Sequence, residues 1–346
     1  MYQSLSKQSD RLTPIPRTIS SVASCLLMAV GACTACNWLC SQEPRGDAQR
    51  SVPSVESVKQ TEYATVTFDE ESDFLRKGNP KPGDWLARFN EPGQSLESYK
   101  SRDARKLISN RRKAIVLQPL GNFTSEQKKV LDALEEYAEA YFQRPARIAP
   151  MIPLPKPSTN KIGRVLSDQE RSGTSSRQYD ASKIIDTILL KKIPDDAVIY
   201  LGVTMEDLFV TDLNFVFGLG SFENRCGVYS LVRYFPEFWG EESTQGSRLL
   251  ALRRSFKVLN HESSHVLGMR HCIYYECTMN GSNSLSETDR APIHECPICH
   301  RKLQWAIAFD PEKRFEAMKK CYLKYDMAEE AAWIDSRARN WKVDRR

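Results

Sequence analysis

Residues 261–300 read HESSHVLGMRHCIYYECTMNGSNSLSETDRAPIHECPICH. This stretch holds all five histidines of the chain and four of its ten cysteines, although the chain has 346 residues over which they could be spread. Imidazole nitrogen and thiolate sulfur are the ligands that zinc prefers in proteins. The stretch therefore predicts metal binding, and its spacing separates it into two constellations.

The first constellation lies at the end of a predicted helix over residues 247–267. His261 and His265 are four residues apart, so their side chains lie one turn apart on one helix face and can reach one ion. Glycine at 268 can adopt positive φ and end the helix, and the returning chain lets His271 complete a three-histidine shell. We interpret His261, His265 and His271 as the ligands of a catalytic zinc.

Glu262 follows the first of these histidines directly. Its carboxylate can lean toward a zinc-activated water and act as the general base. A match to His-Glu-x-x-His alone is a weak signal, because many such matches are ordinary helix faces. Gly268 and His271 at their spacing make the metal interpretation specific.

The second constellation consists of thiols. Cys272 and Cys277 form one close pair, and Cys296 and Cys299 form a second pair after a spacer of eighteen residues. Two such pairs predict a closed, structural zinc site with four thiolate ligands. Two disulfides or free thiols are the alternatives.

Met279 follows the first pair of thiols, where it could form a hydrophobic floor beneath the catalytic metal, although a methionine here is also a common core filler. Cys226 and Cys321 are isolated in the sequence, and we expect both to be free thiols in or near the core.

The composition, with 41% hydrophobic and 27% charged residues, is ordinary for a globular protein. A net charge of +5 is mild for this length. The basic residues between 102 and 113 have no interleaved aromatic residues, so they indicate a solvated helix face. We therefore expect no nucleic-acid partner.

Residues 1–66 are predicted to be an N-terminal extension with an apolar segment at 22–40 and a flexible linker. The apolar segment has three interpretations: an export signal, a lipid-modified or membrane-attached anchor, or a disordered extension. We expect the catalytic domain over residues 67–327 and a charged C-terminal tail over residues 328–346.

The pattern of the central region favours an α/β fold. Residues 114–120 and 197–203 read as buried strands, and a capping box at Thr124–Gln127 begins a helix. The β-α-β-α-β order predicts a mixed, largely parallel twisted sheet with helices packed on it and an antiparallel edge strand. Two further strands are predicted at 214–218 and 227–235; the second could pair with an extended peptide if it lies at the edge, or be an interior strand without that role.

At the metal-binding stretch the sequence resembles the archaemetzincins, a family of zinc metallopeptidases of the metzincin clan. The resemblance is carried by His261-Glu262-x-x-His265-x-x-Gly268-x-x-His271-Cys272-x4-Cys277-x-Met279, followed by Cys296-x-x-Cys299. The residues at 201–208, 214–218, 281–283 and 296–304 also look like the animal members, and the similarity spans about residues 68–323. The N-terminal extension and the charged tail depart from the family pattern.

The resemblance implies a metzincin fold whose active-site helix ends at Gly268, with a small zinc-stapled C-terminal subdomain. It implies two zinc ions per chain, one catalytic and one structural, and hydrolysis of peptide bonds in peptide or protein substrates, with aminopeptidase-type cleavage as one form. It implies an intracellular enzyme, whereas segment 22–40 would favour export or a membrane anchor. The alternative function is a zinc-stabilised module that binds peptides without turnover.

Overall fold

The computed structural model describes residues 65–67, 74–101, 107–158, 161–338 and 342–344. The predicted apolar segment at 22–40 lies outside the described residues. Within these residues, no helix combines the length and hydropathy needed to span a membrane. The proposed division into extension, domain and tail stays a prediction.

The described strands are listed in chain order: β1 (Thr65–Thr67), β2 (Ala114–Leu120), β3 (Ala146–Ile148), β4 (Gly163–Val165), β5 (Arg177–Asp180), β6 (Ala197–Thr204), β7 (Asp207–Val210), β8 (Leu213–Val216), β9 (Gly218–Ser221), β10 (Cys226–Ser230) and β11 (Lys342–Asp344). The described α-helices are α1 (Trp85–Arg88), α2 (Leu96–Lys100), α3 (Ser125–Phe142), α4 (Ala181–Ile184), α5 (Gln245–Val266), α6 (Leu285–Arg290), α7 (Pro297–Ile307), α8 (Pro311–Lys324) and α9 (Ala328–Ala338). A π-helical turn at Ile185–Leu189 continues α4.

The central sheet has five strands in the order β3-β2-β6-β10-β9. The first four strands are parallel, and β9 pairs antiparallel with β10 at the edge. Every residue of β2 and β6 is buried, because both faces of this part of the sheet are covered. The prediction of a largely parallel sheet with an antiparallel edge strand is confirmed.

The helices begin where the sequence provides caps. In α3, the Thr124 side chain accepts from the backbone of Gln127, whose side chain accepts from the Thr124 N–H in return, which confirms the predicted capping box. The α5 helix begins with the same reciprocal pair between Thr244 and Ser247. Aromatic packing joins these two helices, since the rings of Tyr137 and Phe256 stack at 4.0 Å between centroids.

The strand at 227–235 was predicted too long, and of the two positions that the sequence left open for it, edge or interior, the structure has the interior one. It ends at Ser230 and is followed by 3₁₀ turns at Val232–Tyr234 and Pro236–Trp239. It lies inside the sheet, because β9 is hydrogen-bonded along its outer side. The edge strand beside the metal-binding helix is therefore β9.

A second sheet has the order β4-β5-β7-β8. The sequence did not predict this sheet, although the strand predicted at 214–218 corresponds to its β8 strand, which ends at Val216. Its β4 strand lies within residues 156–176, which are polar and show no periodic apolar residues from which a strand could be predicted. A buried ion pair joins this sheet to the turn after β10: Arg233 donates from Nε and Nη2 to the two carboxylate oxygens of Asp207 at 2.6 and 2.7 Å. Phe215 covers the Arg233 guanidinium at 3.9 Å from its ring centroid.

The C-terminal helices close the main core. In the segment expected as a charged tail, α9 packs on α8 and buries Ala331 and Ile334. The cysteine-rich segment also joins this core, since Cys272, Cys277, Cys296 and Cys299 belong to the same apolar cluster as the helices.

Candidate metal centres

The end of α5 shapes the three-histidine site. The Gly268 N–H donates to the His265 carbonyl at 2.8 Å, and the Met269 N–H donates to the Ser264 carbonyl at 2.9 Å. These two bonds form a Schellman motif, whose turning residue must adopt positive φ. Gly268 has φ +87°, so the predicted helix-ending role matches its conformation.

The structure brings the three predicted histidines together. His261, His265 and His271 each place one ring nitrogen in a cluster, and these three nitrogens lie within 4.8 Å of one another. The Nε2 atoms of His261 and His265 are 3.0 Å apart. Two nitrogens bound to one tetrahedral zinc at about 2.0–2.1 Å lie about 3.3 Å apart, so the cluster fits one ion.

Each histidine has a hydrogen-bond acceptor at Nδ1. The His261 Nδ1–H donates to the Thr278 carbonyl at 2.9 Å, and the His265 Nδ1–H donates to the Met269 carbonyl at 2.7 Å. A carbonyl oxygen only accepts, so the proton is fixed on Nδ1 and the Nε2 lone pair is free for a metal. His271 Nδ1 meets the Glu91 carboxylate at 2.8 Å instead.

Electrostatics keep the first two imidazoles neutral. Burial, followed by the neighbouring histidines, places the pKa of His261 well below its usual value. Burial also lowers the pKa of His265 to about 3. Neutral imidazole is the form that binds zinc, so both side chains are ready to coordinate at physiological pH.

The predicted general base lies against the edge strand. Glu262 is buried, with 4% of its surface exposed, and its carboxylate is hydrogen-bonded by the Gly220 backbone. Burial raises the pKa of Glu262 to about 8, although the hydrogen bond from Gly220 lowers it in part. A Cβ atom at Gly218 would lie 2.5 Å from the Glu262 carboxylate, so glycine there is what allows the carboxylate to pack beside β9.

The four predicted cysteines also converge. Their sulfurs all lie within 4.8 Å of one another, and every one of the four is buried. The Sγ atoms of Cys272 and Cys296 are 3.6 Å apart, close to the separation of about 3.8 Å expected for two sulfurs on one tetrahedral zinc. Hydrogen bonds from the other three thiols lower the pKa of Cys272, which favours a thiolate in the cluster.

The remaining predicted residues lie in or near the core. Met279 is fully buried, and its carbonyl accepts from the Cys272 N–H at 2.8 Å. Cys226 and Cys321 are buried free thiols, as the sequence indicated.

Sequence reasoning missed Glu91 and Trp85, which donates from Nε1 to Glu91 at 3.0 Å. These residues lie about 180 positions before His271 and carry no motif that points to a metal.

Comparison with known proteins shows the family to which the chain is similar. A sequence profile of Peptidase family M54 matches residues 112–305. Archaemetzincin-2 of Homo sapiens is 33% identical over 263 residues, which cover 68% of this chain and 71% of the human protein. Archaemetzincin of Pyrococcus furiosus is 35% identical over 127 residues, which cover 37% of this chain and 65% of that protein. The crystal structure of archaemetzincin from Methanopyrus kandleri is 26% identical with a TM-score of 0.44, and covers 58% of this chain and 99% of that chain.

The matches define a zinc metallopeptidase, whose substrates are peptides or proteins. More narrowly, the chain belongs to the archaemetzincin family, peptidase family M54. The family and the enzyme class predicted from the sequence are therefore confirmed.

Proposed function

We propose that His261, His265 and His271 hold the catalytic zinc of this peptidase and that Glu262 is its general base. The observation that carries the proposal is the convergence of one nitrogen from each of the three imidazoles within 4.8 Å. The Nδ1 hydrogen bonds support it, because they leave the Nε2 lone pairs for a metal.

When bound by these histidines, zinc would supply a Lewis acid that could polarise the scissile carbonyl and acidify a water molecule. The Glu262 carboxylate accepts the proton of the attacking water and returns it to the leaving amine. Burial of Glu262 also limits competition from bulk water.

The edge strand β9 offers a place for the substrate backbone. It ends the order of the central sheet, and no described strand pairs with its outer side. An extended peptide can add to such an edge through main-chain hydrogen bonds. Because β9 runs beside Glu262, a peptide paired there would carry its scissile bond past the general base.

We also propose a second, structural zinc held by Cys272, Cys277, Cys296 and Cys299. The four buried sulfurs form a closed tetrad, which is typical of structural zinc sites. Thiolates buried without a cation would be costly, so the cluster favours a bound metal. This site would tie the turn after α5 to the start of α7.

The test compares the wild type with Glu262→Gln on a peptide library, together with zinc content. The amide keeps the size of the side chain but cannot accept the proton, so we expect two zinc ions per chain in both proteins and a loss of turnover of about 10²–10⁴-fold. Peptides with free and with acetylated N-termini separate aminopeptidase-type cleavage from internal cleavage. A wild type that carries both zinc ions and only binds the peptides would support the non-catalytic alternative.

A further inference from the structure

The third histidine differs from the other two in what holds it. His261 and His265 donate from Nδ1 to backbone carbonyls, whereas His271 Nδ1 lies 2.8 Å from the Glu91 carboxylate oxygen Oε1. A charged acceptor makes a shorter and stronger hydrogen bond than a neutral one. It also raises the basicity of the imidazole toward a metal.

Glu91 is itself held by an aromatic side chain. Trp85 donates from Nε1 to the same Oε1 atom at 3.0 Å, and its ring meets His271 edge-on at 5.2 Å between centroids. The Trp85 ring packs directly on Gly281, where a Cβ atom would approach it to 2.4 Å. These contacts within the protein therefore fix the position of the Glu91 carboxylate without a metal.

Residues 74–100, here called the N-terminal strap, attach this carboxylate to the metal-binding stretch at both ends. On one side, Lys77 pairs with Glu276 at 3.0 Å, and the Trp85 N–H donates to Glu287 at 2.9 Å. On the other side, the Gln94 side chain donates to the Gly268 carbonyl at 3.2 Å and accepts from the Arg270 N–H at 3.0 Å. The strap lies before residue 112, where the match to the family profile begins.

The second carboxylate oxygen of Glu91 indicates that a cation would be favourable near this carboxylate. Glu91 Oε2 is buried and has no hydrogen-bond partner among the described residues. A buried carboxylate whose charge is only partly compensated is unfavourable. A divalent cation on the far side of the His271 ring would offset that charge.

On this basis, and resting on the proposed catalytic zinc, we infer that Glu91 is a positioning residue of the active site. It fixes the His271 ring with its proton on Nδ1 and its Nε2 toward His261 and His265, and its charge strengthens zinc binding there. The peptidase site thus includes a residue from the N-terminal strap.

The experiment measures the zinc affinity of the histidine site by competition with a chromogenic chelator in full-length Glu91→Gln and Glu91→Asp. We expect Glu91→Gln to weaken zinc binding by about 10–100-fold, as is usual when a carboxylate partner of a metal-bound histidine is lost. Glu91→Asp keeps the charge on a shorter side chain, so it should recover part of the affinity. Zinc bound at the cysteine cluster serves as the internal reference and should be unchanged.

The matched control is Glu136→Gln, which removes a carboxylate that pairs with Lys324 and touches neither the strap nor a histidine. Its zinc affinity should equal that of the wild type. Equal affinities in Glu91→Gln and the wild type would overturn the inference.

A second variant covers the case in which Glu91→Gln does not fold. Trp85→Phe keeps an aromatic ring against Gly281 and removes the Nε1 donor, so we expect a smaller weakening, of about 3–10-fold. Unchanged affinity in that variant would also overturn the inference. A wild type that binds no zinc through its histidines would instead reject the proposed function itself, which separates the two failures.

Discussion

The Thr278 carbonyl accepts the Nδ1 proton of His261 at 2.9 Å, and Thr278 directly follows Cys277 in the chain. A residue next to the cysteine cluster thus orients the His261 ring on helix α5. His271 is joined to the same cluster by its neighbour Cys272. Two of the three histidines therefore depend on the geometry of the thiols.

We expect Cys296→Ser to lose the structural zinc and also to weaken the catalytic one. Loss of the cluster frees the Thr278 carbonyl and the chain at Cys272, which should lower the zinc affinity of the histidines by about 10-fold or more. Zinc content and chelator competition give the two quantities separately. Cys321→Ser, which alters a buried thiol outside the cluster, is the control. An undiminished affinity at the histidines would show that the two sites are independent.

Gly218→Ala should reduce turnover while both zinc ions remain bound. The new methyl group would lie 2.5 Å from the Glu262 carboxylate and must displace it. A displacement of this size at a general base costs about 10²-fold in kcat. Gly246→Ala is the matched control, because its methyl group meets nothing closer than 3.9 Å in the first turn of α5. Steady-state kinetics measure the turnover, and zinc analysis shows whether both ions remain bound. Full activity in Gly218→Ala would contradict the proposed position of Glu262 as the general base.

Gly268→Ala should destabilise the protein and loosen the histidine site. The positive φ costs about 1–2 kcal/mol for a residue with a Cβ atom, and here that atom would also press on the Phe222 ring at 2.9 Å. Gly83→Ala provides the comparison, since it has φ +91° but no atom within 4 Å. Denaturant unfolding should show the larger loss for Gly268→Ala. Equal losses would mean that the contact with Phe222 adds nothing.

Asp207→Ala should lower the free energy of unfolding by about 3–5 kcal/mol, because it leaves the Arg233 guanidinium buried without its partner. The two side chains are only 2% and 4% exposed. Glu126→Ala breaks an exposed pair with Lys129, in which both side chains are more than two-thirds exposed, so it should cost less than about 1 kcal/mol. Urea unfolding of the zinc-loaded proteins measures the free energy of unfolding of both variants. Comparable losses in the two variants would show that the buried Arg233 charge without its partner is not costly.

The helices and strands were predictable where burial requires either a continuous run of apolar residues or apolar residues at helical spacing. The β2 strand has the predicted bounds 114–120, and α5 spans 245–266 where 247–267 was predicted. The convergence of the three histidines and of the four cysteines was predictable, because metal coordination fixes the spacing of such residues along the chain. No such rule covers the second sheet, whose strands have three or four residues and are in part only half-buried.

The role of β10 shows why sheet position was not predictable. Its sequence is compatible with an edge or an interior strand, and the choice depends on β9, a short and glycine-rich segment with little strand propensity of its own. Glu91 was missed for a similar reason. Its partner lies 180 residues away, and no local pattern links them.

That separation has a consequence for biosynthesis. A ribosome adds about 5–20 residues per second, so Glu91 leaves it roughly 10–40 s before His271 does. Throughout this interval the emerging chain lacks His271 and most of the surface on which the strap rests. If the three histidines hold the catalytic zinc as proposed, the nascent chain cannot cut itself or its neighbours until His271 has been added.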